Sequence, residues 1–78
     1  MLDEKIFYER LVELKEASGK SFNQIERELG YPRNALANYR FGRSPSAVRL
    51  IEISKFFKVS PGYLVGWLEE EQEVKNKK

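Results

Sequence analysis

With 78 residues, 41% of them hydrophobic and 33% charged, the chain is long enough for one compact domain and too short for two. It contains no cysteine and no histidine, which excludes disulfides and thiolate metal sites and removes the commonest general base and metal ligand. No apolar run is long enough to span a membrane, and the N-terminus lacks the features of a signal peptide. We therefore expect a soluble, cytoplasmic, single-domain protein that is not an enzyme and uses neither a cofactor nor a metal.

The charge is distributed unevenly along the chain. The net charge is +2, but residues 29–68 carry six basic side chains against one acidic side chain, and the stretch from Arg33 to Arg49 holds four arginines and no acid. A one-sided basic region is typical of proteins that bind polyanions. A solvated basic face would have the same composition, so charge alone leaves both interpretations open.

The hydrophobic spacing predicts five short helices and no strand. The first helix covers about residues 3–17, with Phe7, Leu11 and Leu14 on its buried face. Gly19 is expected to end this helix, because glycine readily adopts the left-handed conformation that closes a helix.

The second helix is predicted from a capping box at its start. Ser21 is expected to accept a hydrogen bond from the first turn, and Gln24 to donate back to the amide of Ser21. Gly30 is expected to end the helix. Its buried stripe consists of Phe22, Ile25 and Leu29.

Three more helices are predicted from prolines placed near a helix start. The third begins at Pro32 and ends at Gly42, the fourth runs from Ser44-Pro45 to about Phe57, and the fifth opens at Ser60-Pro61. The side chains expected to face inward on these helices are Ala35, Leu36, Tyr39, Leu50, Ile51, Phe57, Tyr63, Leu64 and Trp67.

The two helices on either side of Gly30 suggest a function. The chain from Leu29 to Leu36 is too short for antiparallel packing, so the helices must cross steeply, as in a helix-turn-helix whose second helix lies in the DNA major groove. Arginine can donate two hydrogen bonds to guanine, and asparagine can pair with adenine. The outward positions of the third helix carry Arg33, Asn34, Ala37, Asn38 and Arg40.

Over about residues 4–68 the chain resembles the helix-turn-helix domain of phage lambda repressor and Cro, the XRE class. The matching features are the Leu29-Gly30 turn, Leu36, Tyr39 followed by Gly42, Pro45, Val59-Ser60, and Tyr63-Leu64-Val65-Gly66. The resemblance implies an all-α bundle of five helices, with the helix-turn-helix in helices 2 and 3. It also implies sequence-specific binding to double-stranded DNA by a homodimer on an inverted repeat.

The resemblance further implies two groups of DNA-contacting residues. The group expected to read bases, or to lie at the surface of the DNA groove, comprises Arg33, Asn34, Asn38, Ala37 and Pro32. The group expected to contact phosphates comprises the amides at Ser21, Phe22 and Asn23 and the side chains of Arg40, Arg43 and Arg49. The dipole at the start of the second helix independently favours a phosphate there. Phosphate contacts set register and affinity but not sequence preference.

Three residues depart from the pattern of the family. Phe22 replaces a glutamine that usually touches phosphate, and it is expected in the core or at its rim. Glu26 replaces a small alanine, so the helices are expected to pack at a different distance or angle, and Glu26 could pair with a neighbouring arginine. Pro32 replaces the usual serine cap and leaves Tyr31, a poor capping residue, at the cap position.

The expected domain covers residues 1–68, and residues 69–78 read as a charged tail or the start of a linker. Such a linker would lead to a C-terminal assembly domain, without which dimerisation would be weak. The glutamates at 69–71 fit a solvated tail better than a metal or acid–base site. The aromatic side chains near the end could form a stacking platform for single strands, but core packing is favoured, with Tyr63 and Trp67 as candidate dimer contacts.

The sequence thus predicts a DNA-binding regulator in a bacterial or phage-infected cell, in its narrowest form a phage-type repressor. The alternative is a protein-interaction module of the same fold, such as an antitoxin, with secondary DNA binding. A regulator would depend on Arg33, Asn34 and Asn38, whereas an interaction module would depend on the fifth helix or the tail. No catalytic constellation or glycine-rich phosphate loop supports an enzyme.

Overall fold

The computed structural model describes residues 4–67, and every regular element in this region is helical. The elements are α1 (Glu4–Ser18), α2 (Phe22–Leu29), the 3-10 helix η1 (Ala37–Phe41), α3 (Ala47–Phe57) and α4 (Pro61–Leu64). The all-α class is therefore confirmed. Within this part of the chain no helix is long and apolar enough to cross a membrane. The predicted tail or linker at residues 69–78 lies outside the described residues.

Every element contributes to one hydrophobic core. α1 packs against both η1 and α4, and the ring of Phe7 meets the ring of Tyr39 edge-on with centroids 5.0 Å apart. Burying a side chain of this size stabilises the fold by about 1.5–3 kcal/mol. The buried apolar residues are Phe7, Leu11, Leu14, Ile25, Leu36, Tyr39, Ile53, Val59, Tyr63 and Leu64.

Local signals determine both ends of α2. The Oγ of Ser21 accepts a hydrogen bond from the amide of Gln24 at 3.1 Å, as predicted. Gly30 adopts a left-handed φ of 79°, and its amide bonds to a carbonyl of the last turn, which confirms the predicted stop. The other half of the capping box is wrong, because Gln24 donates its side-chain amide to Glu28 at 3.3 Å and not to the backbone of Ser21.

The repeated Ser-Pro signal marks α4 correctly but places α3 too early. Ser60 caps α4, with its Oγ accepting from the amide two residues later at 3.0 Å. The cap of α3 is Ser46, whose Oγ accepts from the amide of Arg49 at 3.2 Å, so α3 begins at Ala47 and not at Pro45. A second serine directly after the proline offers an equivalent cap, and local sequence does not choose between the two.

The predicted third helix is the largest departure from expectation. Residues 33–36 form a turn, and the 3-10 helix η1 follows and ends at Gly42, the predicted stop. The interruption lies at Asn34, because its φ of 68° is left-handed and incompatible with an α-helix. The described residues therefore form four α-helices, and the five-helix bundle is not confirmed.

Two side chains expected to face inward are exposed, and one candidate dimer contact is buried. Ile51 on α3 is 44% exposed and Trp67, beyond the end of α4, is 73% exposed, so the inward orientation predicted for both is wrong. Tyr63 is only 5% exposed, which confirms its predicted inward orientation and contradicts its suggested role in a dimer contact. Phe56 and Phe57 pack against the core, in agreement with the preference for packing over a stacking platform.

Candidate nucleic-acid interface

A buried carboxylate determines how the chain continues after α2. Glu26 is 2% exposed, its Oε1 accepts a hydrogen bond from the amide of Asn34 at 3.0 Å, and its Oε2 accepts one from the amide of Leu36 at 2.9 Å. Burying a carboxylate without such partners would be strongly destabilising. The suggested pairing of Glu26 with an arginine is wrong, because both oxygens bind backbone amides. The carboxylate thus supplies the cap that Tyr31 cannot provide.

The turn held by Glu26 lies beside a shallow surface groove of about 430 Å³, which we call the basic groove. Its lining from the segment before η1 and from η1 itself consists of Pro32, Arg33, Ala35, Asn38 and Tyr39. Its lining from the loop after η1 and from the start of α3 consists of Arg43, Ser44, Ser46 and Arg49. Three arginines and no acidic side chain line this groove, so it presents positive charge and hydrogen-bond donors to an incoming ligand.

One of these arginines is held in place by an aromatic ring. The guanidinium carbon of Arg49 lies 4.3 Å from the centroid of the Tyr31 ring, and the Tyr31 hydroxyl donates a hydrogen bond to Oε1 of Glu52 at 2.7 Å. Burial, followed by this hydrogen bond and the charge of Glu52, raises the pKa of Tyr31 above its ordinary value. Through its hydrogen bond to Glu52 and its contact with Arg49, Tyr31 links the segment after α2 to α3.

The structure brings together three of the five residues predicted to read bases. Pro32, Arg33 and Asn38 are exposed and line the basic groove. Asn34 is exposed but is not among the lining residues, and its backbone forms the left-handed turn. Ala37 is half-buried in η1 and lies outside the lining as well.

The arginines predicted to contact phosphate divide into two sets. Arg43 and Arg49 line the basic groove together with Arg33. Arg40 is exposed outside the lining, and its guanidinium carbon lies 4.7 Å from the centroid of the Phe41 ring. Phe41 is itself 68% exposed, so this pair forms an exposed contact at the last two residues of η1, apart from the groove lining.

Of the residues predicted to contact phosphate at the start of α2, Asn23 lines a second concavity of about 320 Å³. Asn23 and Arg33 both line this concavity, and Arg33 also lines the basic groove, so the surface continues from one to the other. Ser21 is exposed as the N-cap of α2. The side chain of Phe22 packs against the core, with its ring 6.2 Å from that of Tyr8, in agreement with the position expected for it.

The roles of three residues that shape this surface were not predicted from the sequence. Glu26 binds the backbone amides of the turn, the ring of Tyr31 contacts Arg49, and Ser46 lines the basic groove. A signal existed for Glu26, because it lies four residues after Phe22 on the same helical face and therefore inside the buried stripe. A charged residue at such a position requires buried partners. The contact of Tyr31 with Arg49 spans 18 residues, and no local pattern indicates it.

Comparison with known proteins identifies the unit that contains this surface. Residues 11–64, more than half of the chain, match a family model described as Helix-turn-helix. The matched region contains α2, the turn held by Glu26 and all residues that line the basic groove. No curated protein and no solved structure gives a significant match.

Proposed function

The chain belongs to the helix-turn-helix family of the XRE, lambda repressor/Cro-like type and is a DNA-binding transcription regulator. We propose that it is a phage-type repressor that recognises a specific sequence in double-stranded DNA. This family is a regulatory DNA-binding domain and is not typically enzymatic. We propose that it acts in the cytoplasm as a homodimer on an inverted repeat. The centres of the two half-sites then lie about 34 Å apart, or a multiple of that distance.

The observation that carries this proposal is the composition of the basic groove. It places Arg33 and Asn38 beside Arg43 and Arg49, with no acidic lining residue. Arginine and asparagine offer the donor and acceptor patterns that pair with guanine and adenine in the major groove. Arg43 and Arg49 suit phosphate oxygens, which fix the position of the protein on the duplex.

A protein-interaction module with secondary DNA binding is the second candidate, and the exposed apolar side chains favour it. Val48 and Ile51 lie one turn apart on α3 and are 66% and 44% exposed, and Trp67 is 73% exposed. Exposed apolar side chains that share a face are typical of protein contacts. The sequence predicted that this candidate depends on the fifth helix or the tail; the exposed side chains add Val48 and Ile51 on α3 to Trp67 beyond α4, and the tail lies outside the described residues. Under this candidate the function would not depend on Arg33 and Asn38.

Selection of binding sites from a randomised duplex library at near-physiological salt tests the proposal. Enrichment of an inverted repeat by the full chain would support a sequence-specific dimer and would give the half-site spacing. Enrichment of a single half-site would support sequence recognition by a monomer. If the chain enriched no sequence and bound all duplexes weakly, the repressor proposal would fail and the interaction module would take its place.

A further inference from the structure

The carboxylate of Glu26 makes none of the proposed DNA contacts, but its hydrogen bonds define the backbone from which those contacts arise. Asn34 has a φ of 68°, a region that side chains with a Cβ rarely occupy and that asparagine tolerates better than most. The oxygens of Glu26 bind the amide of Asn34 itself and the amide of Leu36, two residues further on. The carboxylate of Glu26 on α2 therefore fixes the left-handed residue Asn34 through the amide of Asn34 and through the amide of Leu36.

The same turn connects to the residues proposed to read DNA on both sides. Arg33 precedes Asn34 directly, and the amide of Asn38 donates to the carbonyl of Asn34 at 3.0 Å. A chain of hydrogen bonds thus runs from the carboxylate of Glu26 through the backbone of Asn34 to the backbone of Asn38. A change in φ at Asn34 would rotate Arg33 relative to Asn38.

We infer that Glu26 is a positioning residue for DNA recognition: it holds the turn at Asn34 so that the side chains of Arg33 and Asn38 both face the basic groove and can contact the same DNA groove. Asn34 then serves the turn, and the base-reading group consists of Arg33 and Asn38 with Pro32 beside them. This inference rests on the proposed function. It differs from a purely structural role for Glu26, because it predicts a loss of sequence discrimination while the protein stays folded.

Replacing Glu26 by glutamine separates these two roles. Glutamine preserves the volume of the side chain, but one of its terminal atoms becomes an NH₂ group that faces a backbone N–H, so one of the two hydrogen bonds is lost. Glu28→Gln is the matched control, because it makes the same chemical change on the same helix at an exposed carboxylate. Asn34→Gly provides a rescue, since glycine adopts positive φ without steric cost.

The experiment uses the full chain and two duplexes of equal length: the one that wild type selects from the random library and a scrambled version. Circular dichroism and thermal unfolding verify that each variant is folded at the assay temperature. We expect Glu26→Gln to weaken binding to the selected duplex about tenfold or more, the scale of one lost base contact. Binding to the scrambled duplex should change by less than about twofold, because Arg43 and Arg49 still contact phosphates.

Rescue and NMR distinguish the inference from general loosening of the fold. We expect Asn34→Gly to restore part of the discrimination in the Glu26→Gln background, and Asn34→Gly alone to select the same sequence as wild type. In Glu26→Gln, the amide proton resonances of Asn34 and Leu36 should shift upfield as the hydrogen bonds weaken, while Glu28→Gln leaves them in place.

Several results would overturn the inference. They are equal loss on both duplexes in folded Glu26→Gln, unchanged discrimination, unmoved Asn34 and Leu36 amides, or a changed base preference in Asn34→Gly alone. Failure of wild type to select any duplex is a separate outcome that contradicts the proposed function and the recognition role built on it.

Discussion

α2 and the segment that follows it are neighbours in sequence, but they are stabilised in different ways. α2 is bounded by contacts within a few residues, with Ser21 at its start and Gly30 at its end. Residues 33–41 instead form a turn and a 3-10 helix, and the amides of Asn34 and Leu36 bind Glu26, eight and ten residues earlier. Residues 33–41, which carry most of the surface proposed to read DNA, are therefore less regular than α2, and their conformation depends on hydrogen bonds to a residue distant in sequence, Glu26.

The largest effect should come from removing the distant contact. Glu26→Ala leaves the amides of Asn34 and Leu36 without their buried acceptor, and we expect it to lower the free energy of unfolding by about 3 kcal/mol. Ser21→Ala, which removes only the local cap of α2, should cost about 1 kcal/mol. Urea denaturation of both variants measures the two values. Equal losses would mean that the segment after α2 holds its conformation without Glu26.

The next effect concerns two arginines of the basic groove, Arg33 and Arg43, to which different contacts with DNA are assigned. Arg33→Ala should weaken binding to the selected duplex by about 1–3 kcal/mol and relax the preference at one base position in each half-site. Arg43→Ala should weaken binding to all duplexes alike and reduce the salt slope by about one unit per protomer. Fluorescence anisotropy over a salt series separates the two. A uniform loss in both variants would contradict the assignment of Arg33 as a base reader.

A smaller effect tests the cap of α3, where local sequence allowed two choices. Because the Oγ of Ser46 accepts from the amide of Arg49, we expect Ser46→Ala to lower the free energy of unfolding by about 1 kcal/mol. The measurement is urea denaturation without DNA, so that the position of Ser46 in the basic groove does not contribute. An unchanged stability would show that α3 is not capped by Ser46.

The link from the irregular segment to α3 should appear in the pH dependence at high pH. The pKa of Tyr31 is raised in the folded state, so its contribution is complete below the ordinary value of about 10 and is lost as the pH rises through the raised value. The Tm difference between wild type and Tyr31→Phe should therefore begin to shrink above about pH 10 and continue to shrink as the pH rises further. A constant difference over this range would argue against the environment assigned to Tyr31.

The smallest effect on stability is expected from Glu28 on the regular helix α2. A hydrogen bond from Lys20 lowers the pKa of Glu28 below 4.5, so the contribution of this carboxylate is present above that value and lost as the pH falls through the lowered pKa. The Tm difference between wild type and Glu28→Gln should be small at neutral pH and should vanish in acid. A difference that persisted or grew in acid would contradict the contact with Lys20.

The elements that could be predicted from the sequence are those with local causes. Ser21, Gly30 and the Ser60-Pro61 pair mark helix ends through contacts within a few residues, and the apolar spacing of α1 correctly gives its buried face. The sequence also predicted correctly that Arg33 and Asn38 share one surface, although they lie on a turn and a 3-10 helix and not on an α-helix.

The rest depended on tertiary contacts that spacing does not encode. The left-handed turn at Asn34 follows from the carboxylate of Glu26, and the position of Arg49 follows from the ring of Tyr31. The exposure of Ile51 was missed because periodicity gives the width of an apolar stripe but not how much of it another helix covers.

The most direct test of whether the basic groove binds DNA is an NMR titration. Amide resonances of the ¹⁵N-labelled full chain are followed as the selected duplex is added. We expect the largest shifts on residues 32–43 and on the start of α3 around Ser46 and Arg49. Unmoved resonances there, with the largest shifts on α1 or near Trp67, would contradict binding of DNA by the basic groove.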